Sequence, residues 1–203
     1  MSFKIVKERE FKPHADTMRG VYLLRHSDVS EKGTRRYQLM GALLLCAISY
    51  ESYLNWIGPK LFPTWKQKLE RLRWAKKTKL IAEKLGLTLD YSKKPYKTVR
   101  QLFTWRNELA HSQPCILHEE ALVPKLGADF YDMPQTELEK NYTNERIDEF
   151  ERDVTNVVNA MHEKAWGKVK LTEQEAMLIT TEQCWKSVCW DIGMFSGGSS
   201  EIP

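Results

Sequence analysis

The chain lacks the patterns that identify membrane, secreted and disulfide-bonded proteins. No apolar run approaches the ~18 residues of a transmembrane helix, so we expect no membrane association. The charged start is not followed by the apolar segment of a secretory signal, and a cytoplasmic location is therefore expected. The four cysteines form no CxxC pair, which argues against zinc or thioredoxin-like sites and predicts reduced, buried thiols.

Common catalytic motifs are also missing from the sequence. There is no HExxH, no pair of carboxylates spaced for a metal and no glycine-rich loop for a nucleotide, so we expect no metal and no cofactor. No order of Ser, His and Asp indicates a hydrolytic triad. Four histidines have no mutual spacing that suits a metal, and we interpret them as surface or capping residues: His14, His26, His118 and His162.

Acidic residues are scarce between positions 60 and 106. This segment has 14 Lys and Arg against 3 Asp and Glu, a charge of +11, although the whole chain carries +4. Charge runs are often only solvated faces, but this concentration favours a polyanionic partner such as RNA. We predict that six cations bind it: Lys66, Arg73, Lys76, Lys77, Lys97 and Arg100. For the nearby tryptophans we expect core or dimer packing rather than base stacking: Trp65, Trp74 and Trp105.

Apolar residues recur at three- and four-residue steps, and alternating runs are almost absent. This pattern predicts an all-α fold, a bundle of about five helices with a long irregular excursion at about 115–141. We expect residues 1–30 to form an extension, helical over 15–26, that packs on a single domain of residues 31–195. The tail 196–203 is expected to be disordered. The helices expected in the domain are 34–57, ended by Gly58-Pro59, then 64–85, about 95–112, 143–167 and 172–190.

The stretch 99–112, VRQLFTWRNELAHS, places a cation, an amide and an imidazole on one short helix. Arg106 falls within the apolar stripe, where a guanidinium is costly to bury unpaired. Glu51 is the only acid between positions 34 and 65, and we expect it to neutralise Arg106. Asn107 and His111 lie four apart on an adjoining face, and Pro114 should end the helix soon after them.

These residues suffice for RNA cleavage without a metal, in which the neighbouring 2′-hydroxyl is the nucleophile. An imidazole can take or supply the proton, and a guanidinium can bind the phosphate bidentately. Asn107 would orient the imidazole or donate to a phosphate oxygen. One histidine does only half of a reaction with two proton transfers, so we expect a symmetric dimer to supply the second.

The string WRNELAHS at a helix end resembles the HEPN superfamily, whose motif is Arg, a polar residue and His after four to six positions. Arg106, Asn107 and His111 match that motif, and Glu51 matches an acidic residue of the preceding helix. The resemblance covers residues 34–112 and extends to the helix near 143. HEPN toxins regulated by nucleotidyltransferases carry Tyr two places after the His, where this chain has Gln113.

The resemblance implies a homodimer with the two motifs facing one cleft, and endoribonuclease activity that leaves a cyclic phosphate. It also implies a toxin–antitoxin, abortive-infection or antiviral defence role, with an antitoxin or defence-system partner. Two alternatives stay open. One is a non-catalytic RNA-binding or scaffold module, and the other a regulatory HEPN protein that acts with a separate nucleotidyltransferase.

Overall fold

A computed structural model describes residues 12–28, 32–120 and 134–167 of the chain. The helices are α1 (Pro13–His26), α2 (Lys32–Leu61), a π-helix (Trp65–Leu69), α3 (Trp74–Leu85), α4 (Tyr96–His111), α5 (Glu137–Lys140) and α6 (Asn144–Trp166). No strand occurs within these ranges, which confirms the predicted all-α fold. In the same ranges, no helix combines the length and the apolar composition that crossing a membrane requires.

Helix α2 is the centre of the bundle, and α1, α3, α4 and α6 all pack against it. Its predicted apolar stripe is buried over its whole length: Leu39, Leu43, Cys46, Tyr50, Leu54 and Ile57. Burial raises the pKa of the Cys46 thiol, as expected for a reduced core cysteine. Cys115 is exposed, so the expectation of buried thiols is wrong for that residue.

Helix α1 packs along α2 and is also tied to α6. Its buried side carries Ala15, Met18 and Val21. The Ser49 hydroxyl on α2 donates to the carbonyl of His14 over 2.8 Å, and Arg25 pairs with Glu151 on α6. The predicted helix over 15–26 therefore forms two residues earlier than expected and packs on the bundle.

The expected end of α2 at Gly58-Pro59 is wrong, because the helix continues to Leu61. Proline's φ angle suits a helix, and its missing N–H costs one hydrogen bond in the last turn. The amide of Phe62 donates to the Gly58 carbonyl over 2.9 Å and closes that turn. Gly58 is instead a packing position, since the Trp65 indole lies where its Cβ would be.

The expected continuous helix over 64–85 is divided into the π-helix and α3. Trp65 is fully buried, and Trp74 stacks on Phe103 with ring centroids 4.2 Å apart. Nine residues at about 100° each would place these two indoles on opposite sides of a straight helix. The chain breaks between them so that both rings reach the bundle. Gly86 ends α3 at φ 74°, the left-handed C-cap that the sequence predicted.

Helices α4 and α6 agree with the sequence prediction. Helix α4 ends at His111, and α6 begins after its N-cap Thr143 and is capped by Gly167. Residues 115–120 have no regular secondary structure, as predicted, whereas the short helix α5 forms within the excursion that was expected to be irregular. The middle of that excursion, the predicted helix over 172–190 and the tail 196–203 lie outside the described residues.

Candidate functional site

Helix α4 is anchored through its first ten residues, and its last turn projects from the bundle. Val99, Leu102 and Phe103 are buried, and Trp105 packs edge-on against Phe150 of α6. Beyond Trp105 the helix has no fully buried residue, and Leu109 is only half-buried against the core. The motif therefore lies at an open helix end, after ten residues that anchor the helix in the core.

Arg106, Asn107 and His111 all reach the surface of this end. Arg106 is half-buried, and Asn107 and His111 are exposed. The Arg106 guanidinium donates from Nη1 to the Asn107 side-chain oxygen over 2.9 Å. Arg106 and His111 are five positions apart, which separates them by about 140° around the helix axis. Asn107 thus turns the guanidinium away from the core stripe and toward the exposed face.

That exposed face continues along α4 as a polar stripe. Arg100, Thr104, Asn107 and His111 are all exposed and follow one another at steps of four, three and four residues. Such steps keep side chains on one side of a helix. The stripe begins next to Lys97, and it joins the positive charge of the first turns to the imidazole at the end.

The sequence predicted that Glu51 neutralises Arg106, and this prediction is wrong. Its carboxylate lies 3.5 Å from the ammonium of Lys77 on α3, and Lys77 also donates to Asn55 over 2.8 Å. Arg106 instead avoids the cost of burial by reaching the surface beside Asn107. Glu51 therefore belongs to a polar cluster between α2 and α3.

Five of the six predicted RNA-binding cations are exposed: Lys66, Arg73, Lys76, Lys97 and Arg100. The prediction is wrong for Lys77, which is only 2% exposed. A buried ammonium needs hydrogen-bonding partners, and Asn55 and Glu51 supply them. The sequence did not indicate that Lys77 is buried, because both of its neighbours, Lys76 and Thr78, are also polar.

The tryptophans pack as expected, whereas two histidines do not lie where the sequence placed them. Trp65 and Trp105 are buried in the core. His14 and His162 are also buried, beside Trp56, so their interpretation as surface or capping residues is wrong. Burial lowers the pKa of His14 to about 3, and Lys12 and His162 add to that shift. His26 and His118 are exposed as predicted.

The structure adds neighbours of the motif that the sequence analysis missed. The Arg146 guanidinium on α6 lies 5.0 Å from the centre of the Trp105 ring and pairs with Glu149. Near the last turn of α4, burial raises the pKa of Tyr142, an effect that Arg36 opposes and Glu139 and Glu108 reinforce. Arg36 on α2 also forms an ion pair with Glu139 on α5. No sequence signal indicated them, because they come from distant segments.

An exposed apolar segment follows the motif directly. Ile116 is 83% exposed and Leu117 is 39% exposed, and both lie within six residues of His111. We interpret these two adjacent apolar side chains as a candidate interaction surface.

The described residues include no group of three or more His, Cys, Asp or Glu side chains that could hold a metal. The end of α4 presents an imidazole, a guanidinium and an amide. These groups transfer protons and bind phosphate. No protein-family model, no curated protein and no solved structure matches the chain.

Proposed function

We propose that this protein is a metal-independent endoribonuclease of the HEPN type. One observation carries the proposal: Arg106 and His111 both reach the surface at the open end of α4, and Asn107 fixes the guanidinium there. A guanidinium has five N–H donors, and Asn107 uses one. The remaining donors of this half-buried side chain can bind two oxygens of a phosphate.

The reaction follows from these groups. His111 takes the proton of an RNA 2′-hydroxyl, whose oxygen attacks the adjacent phosphorus. Arg106 stabilises the negative charge that increases on the phosphate oxygens. The O2′–P bond forms as the P–O5′ bond breaks, so the products are a 2′,3′-cyclic phosphate and a 5′-hydroxyl. The departing 5′-oxygen takes a proton from a second imidazole.

A second copy of the chain is the proposed source of that imidazole. Closed twofold dimers are the commonest assemblies, and such an interface joins the same patch of both copies. Ile116 and Leu117 offer exposed apolar surface within six residues of His111. Pairing through this segment would bring the two α4 ends near one another. The proposed active site is thus composed of both protomers.

RNA would approach along the cations of α3 and α4. The exposed cations Lys76, Lys97 and Arg100 precede the polar stripe that ends at His111. Phosphate contacts position a nucleic acid without reading its sequence, so this surface fits single-stranded RNA in general. We further propose that the enzyme is a toxin or antiviral defence effector that acts with an antitoxin or defence-system partner.

The first experiment is cleavage of mixed single-stranded RNA by the full chain in EDTA. We expect the parent to cleave, and His111→Ala and Arg106→Ala to lose at least about 100-fold in rate. His26→Ala and Arg152→Ala are matched controls. His26 ends α1 as His111 ends α4, and Arg152 is an exposed guanidinium on α6. Both controls should cleave at the parent rate.

Two results would overturn the proposal. If none of the proteins cleaves while all of them bind RNA equally, the chain is a binding or scaffold module. If the parent cleaves and the two motif variants keep its rate, the nuclease site lies elsewhere. A requirement for a separate nucleotidyltransferase would identify the regulatory alternative.

A further inference from the structure

A groove of about 500 Å³ lies on the side of α3 that faces away from α2. Its floor is apolar, and the 87–91 segment forms one wall. It is lined by Ala75, Lys76, Lys79, Ala82, Glu83, Leu87, Leu89 and Tyr91. Sites for small molecules and single nucleotides are of this size and combine an apolar floor with a few charged groups.

The charges at the rim of this groove favour an anionic occupant. Lys79 lies 3.8 Å from Glu83, and both side chains are exposed. Lys76 forms no ion pair with any described residue, so its ammonium remains available at the rim. The surrounding segment carries the +11 concentration of charge. A phosphate near Lys76 would complement both the local and the regional charge.

The wall of the groove offers an aromatic surface next to α4. Tyr91 is half-buried, and its ring lies 6.1 Å from that of Tyr96, the first residue of α4. The exposed cations Lys97 and Arg100 follow within one turn. From Tyr96 to His111 the helix rises about 22 Å. The groove therefore lies near the start of α4, and the proposed active site lies at the end of the same helix.

We propose that this groove is a base-binding subsite for single-stranded RNA. An unpaired base would occupy the apolar floor against Tyr91, and its phosphate would contact Lys76. The strand would then follow Lys97 and Arg100 toward His111. Proteins that bind single strands without sequence preference combine cationic grooves with aromatic walls in this way. This inference rests on the proposed function in one respect, which is that the ligand is RNA.

The test measures binding of a dodecamer with 2′-O-methyl riboses, which cannot undergo attack by a 2′-hydroxyl. Lys76→Glu should weaken its binding by at least about fivefold, whereas Lys164→Glu on α6 should change it far less. Glu83→Gln removes a negative charge from the rim and should strengthen binding, with Glu163→Gln as its matched control. All four residues are exposed, so folding is not at stake.

Substrate length provides a second readout. A dinucleotide cannot reach from His111 to the groove, so Lys76→Glu should slow cleavage of a dodecamer at least about fivefold more than cleavage of a dinucleotide. Equal effects of Lys76→Glu and Lys164→Glu on binding would overturn the subsite and indicate non-specific charge. A competition experiment gives a further outcome. If an acidic peptide binds the groove more tightly than the oligonucleotide and displaces it, the ligand is a protein and the RNA subsite is overturned.

The outcomes separate this inference from the proposed nuclease. Binding that depends on Lys76 and Glu83, with no cleavage of ordinary RNA, supports the subsite and contradicts the proposed activity. Cleavage that needs His111, with binding indifferent to Lys76 and Glu83, supports the activity and contradicts the subsite.

Discussion

At the scale of single residues, the environment of His14 is the clearest source of pH-dependent stability. Its imidazole is buried 5.7 Å from the Tyr53 ring and 5.3 Å from the Trp56 ring, measured between centroids. The buried Nδ1 has no hydrogen-bond partner among the described residues. Removing the charged form from water is costly, so the folded protein holds this imidazole neutral.

We predict that the folded protein loses stability through His14 as the pH falls from about 6.5 toward 3. Burial lowers its pKa from 6.5 to about 3, so in that interval the unfolded chain binds the proton and the folded chain does not. Above pH 6.5 the contribution is fully present. The free energy of unfolding should fall by up to about 1.4 kcal/mol per pH unit from this group alone.

Urea denaturation of the parent and of His14→Phe across this pH range measures the effect. Phenylalanine keeps a ring beside Tyr53 but does not titrate. As the pH falls, the free energy of unfolding of the parent should decrease relative to that of His14→Phe. Parallel pH profiles would contradict the account.

The sequence correctly predicted features that depend on residue spacing along a helix. It did not predict which polar side chains are buried. The α4 motif was located correctly because Pro114 and the apolar stripe limit the helix. The burial of His14, His162 and Lys77 was not predicted, because each of these side chains is polar or ionisable and such side chains are usually exposed. Only packing against distant segments buries them, and a linear pattern does not contain that information.

At the scale of helices, the contact between Gly58 and Trp65 determines how the chain leaves α2. The indole of Trp65 occupies the space that a side chain at position 58 would need. Trp65 is 1% exposed, so its ring has no empty surface to move into. The π-helix and the turn before α3 are thereby held against the end of α2.

We predict that Gly58→Ala lowers the free energy of unfolding by about 1–3 kcal/mol, the usual cost of overpacking a core. The added methyl group would displace the Trp65 ring. Gly167→Ala is the control, because nothing lies within 4 Å of a Cβ there and its φ is −73°. Chemical denaturation compares the two variants, and an equal, small change in both would refute the packing role of Gly58.

Helix order was largely predictable from sequence, and helix breaks were not. The α2 stripe, the Gly86 cap and the Thr143 start all appear as expected. Gly58-Pro59 resembled a stop signal, and residues 64–85 resembled one helix. Past Gly58-Pro59 the helix closes one more turn through the Phe62 amide. Within residues 64–85 the deciding factor was tertiary, since two indoles nine residues apart both pack on the bundle.

At the scale of the whole molecule, the distribution of charge and exposed apolar surface determines the proposed assembly. Residues 60–106 carry +11, and the rest of the chain carries −7. The surface of each chain therefore carries both the exposed cations of this segment and the exposed apolar residues 116–117. A dimer formed through that segment would bury its apolar side chains and leave the cations available for RNA.

We predict that the chain sediments at twice its mass and that Ile116→Glu shifts it toward the monomer. A carboxylate at this position would be buried unpaired in the interface, which is costly. Leu23→Glu is the control, because Leu23 is a 50% exposed apolar residue on α1 that does not belong to the 116–117 segment. Ribonuclease activity should fall with the loss of the dimer. A fully active monomeric Ile116→Glu protein would contradict a site composed of two protomers.

The most direct test of the central claim uses an oligonucleotide with a single ribose in an otherwise 2′-deoxy strand. In EDTA, the account predicts one cut, at the phosphate 3′ to that ribose, with a 2′,3′-cyclic phosphate detected by mass spectrometry. His111→Ala should leave the strand intact. Cleavage at deoxy positions, cleavage by His111→Ala, or no cleavage by the parent would contradict the account.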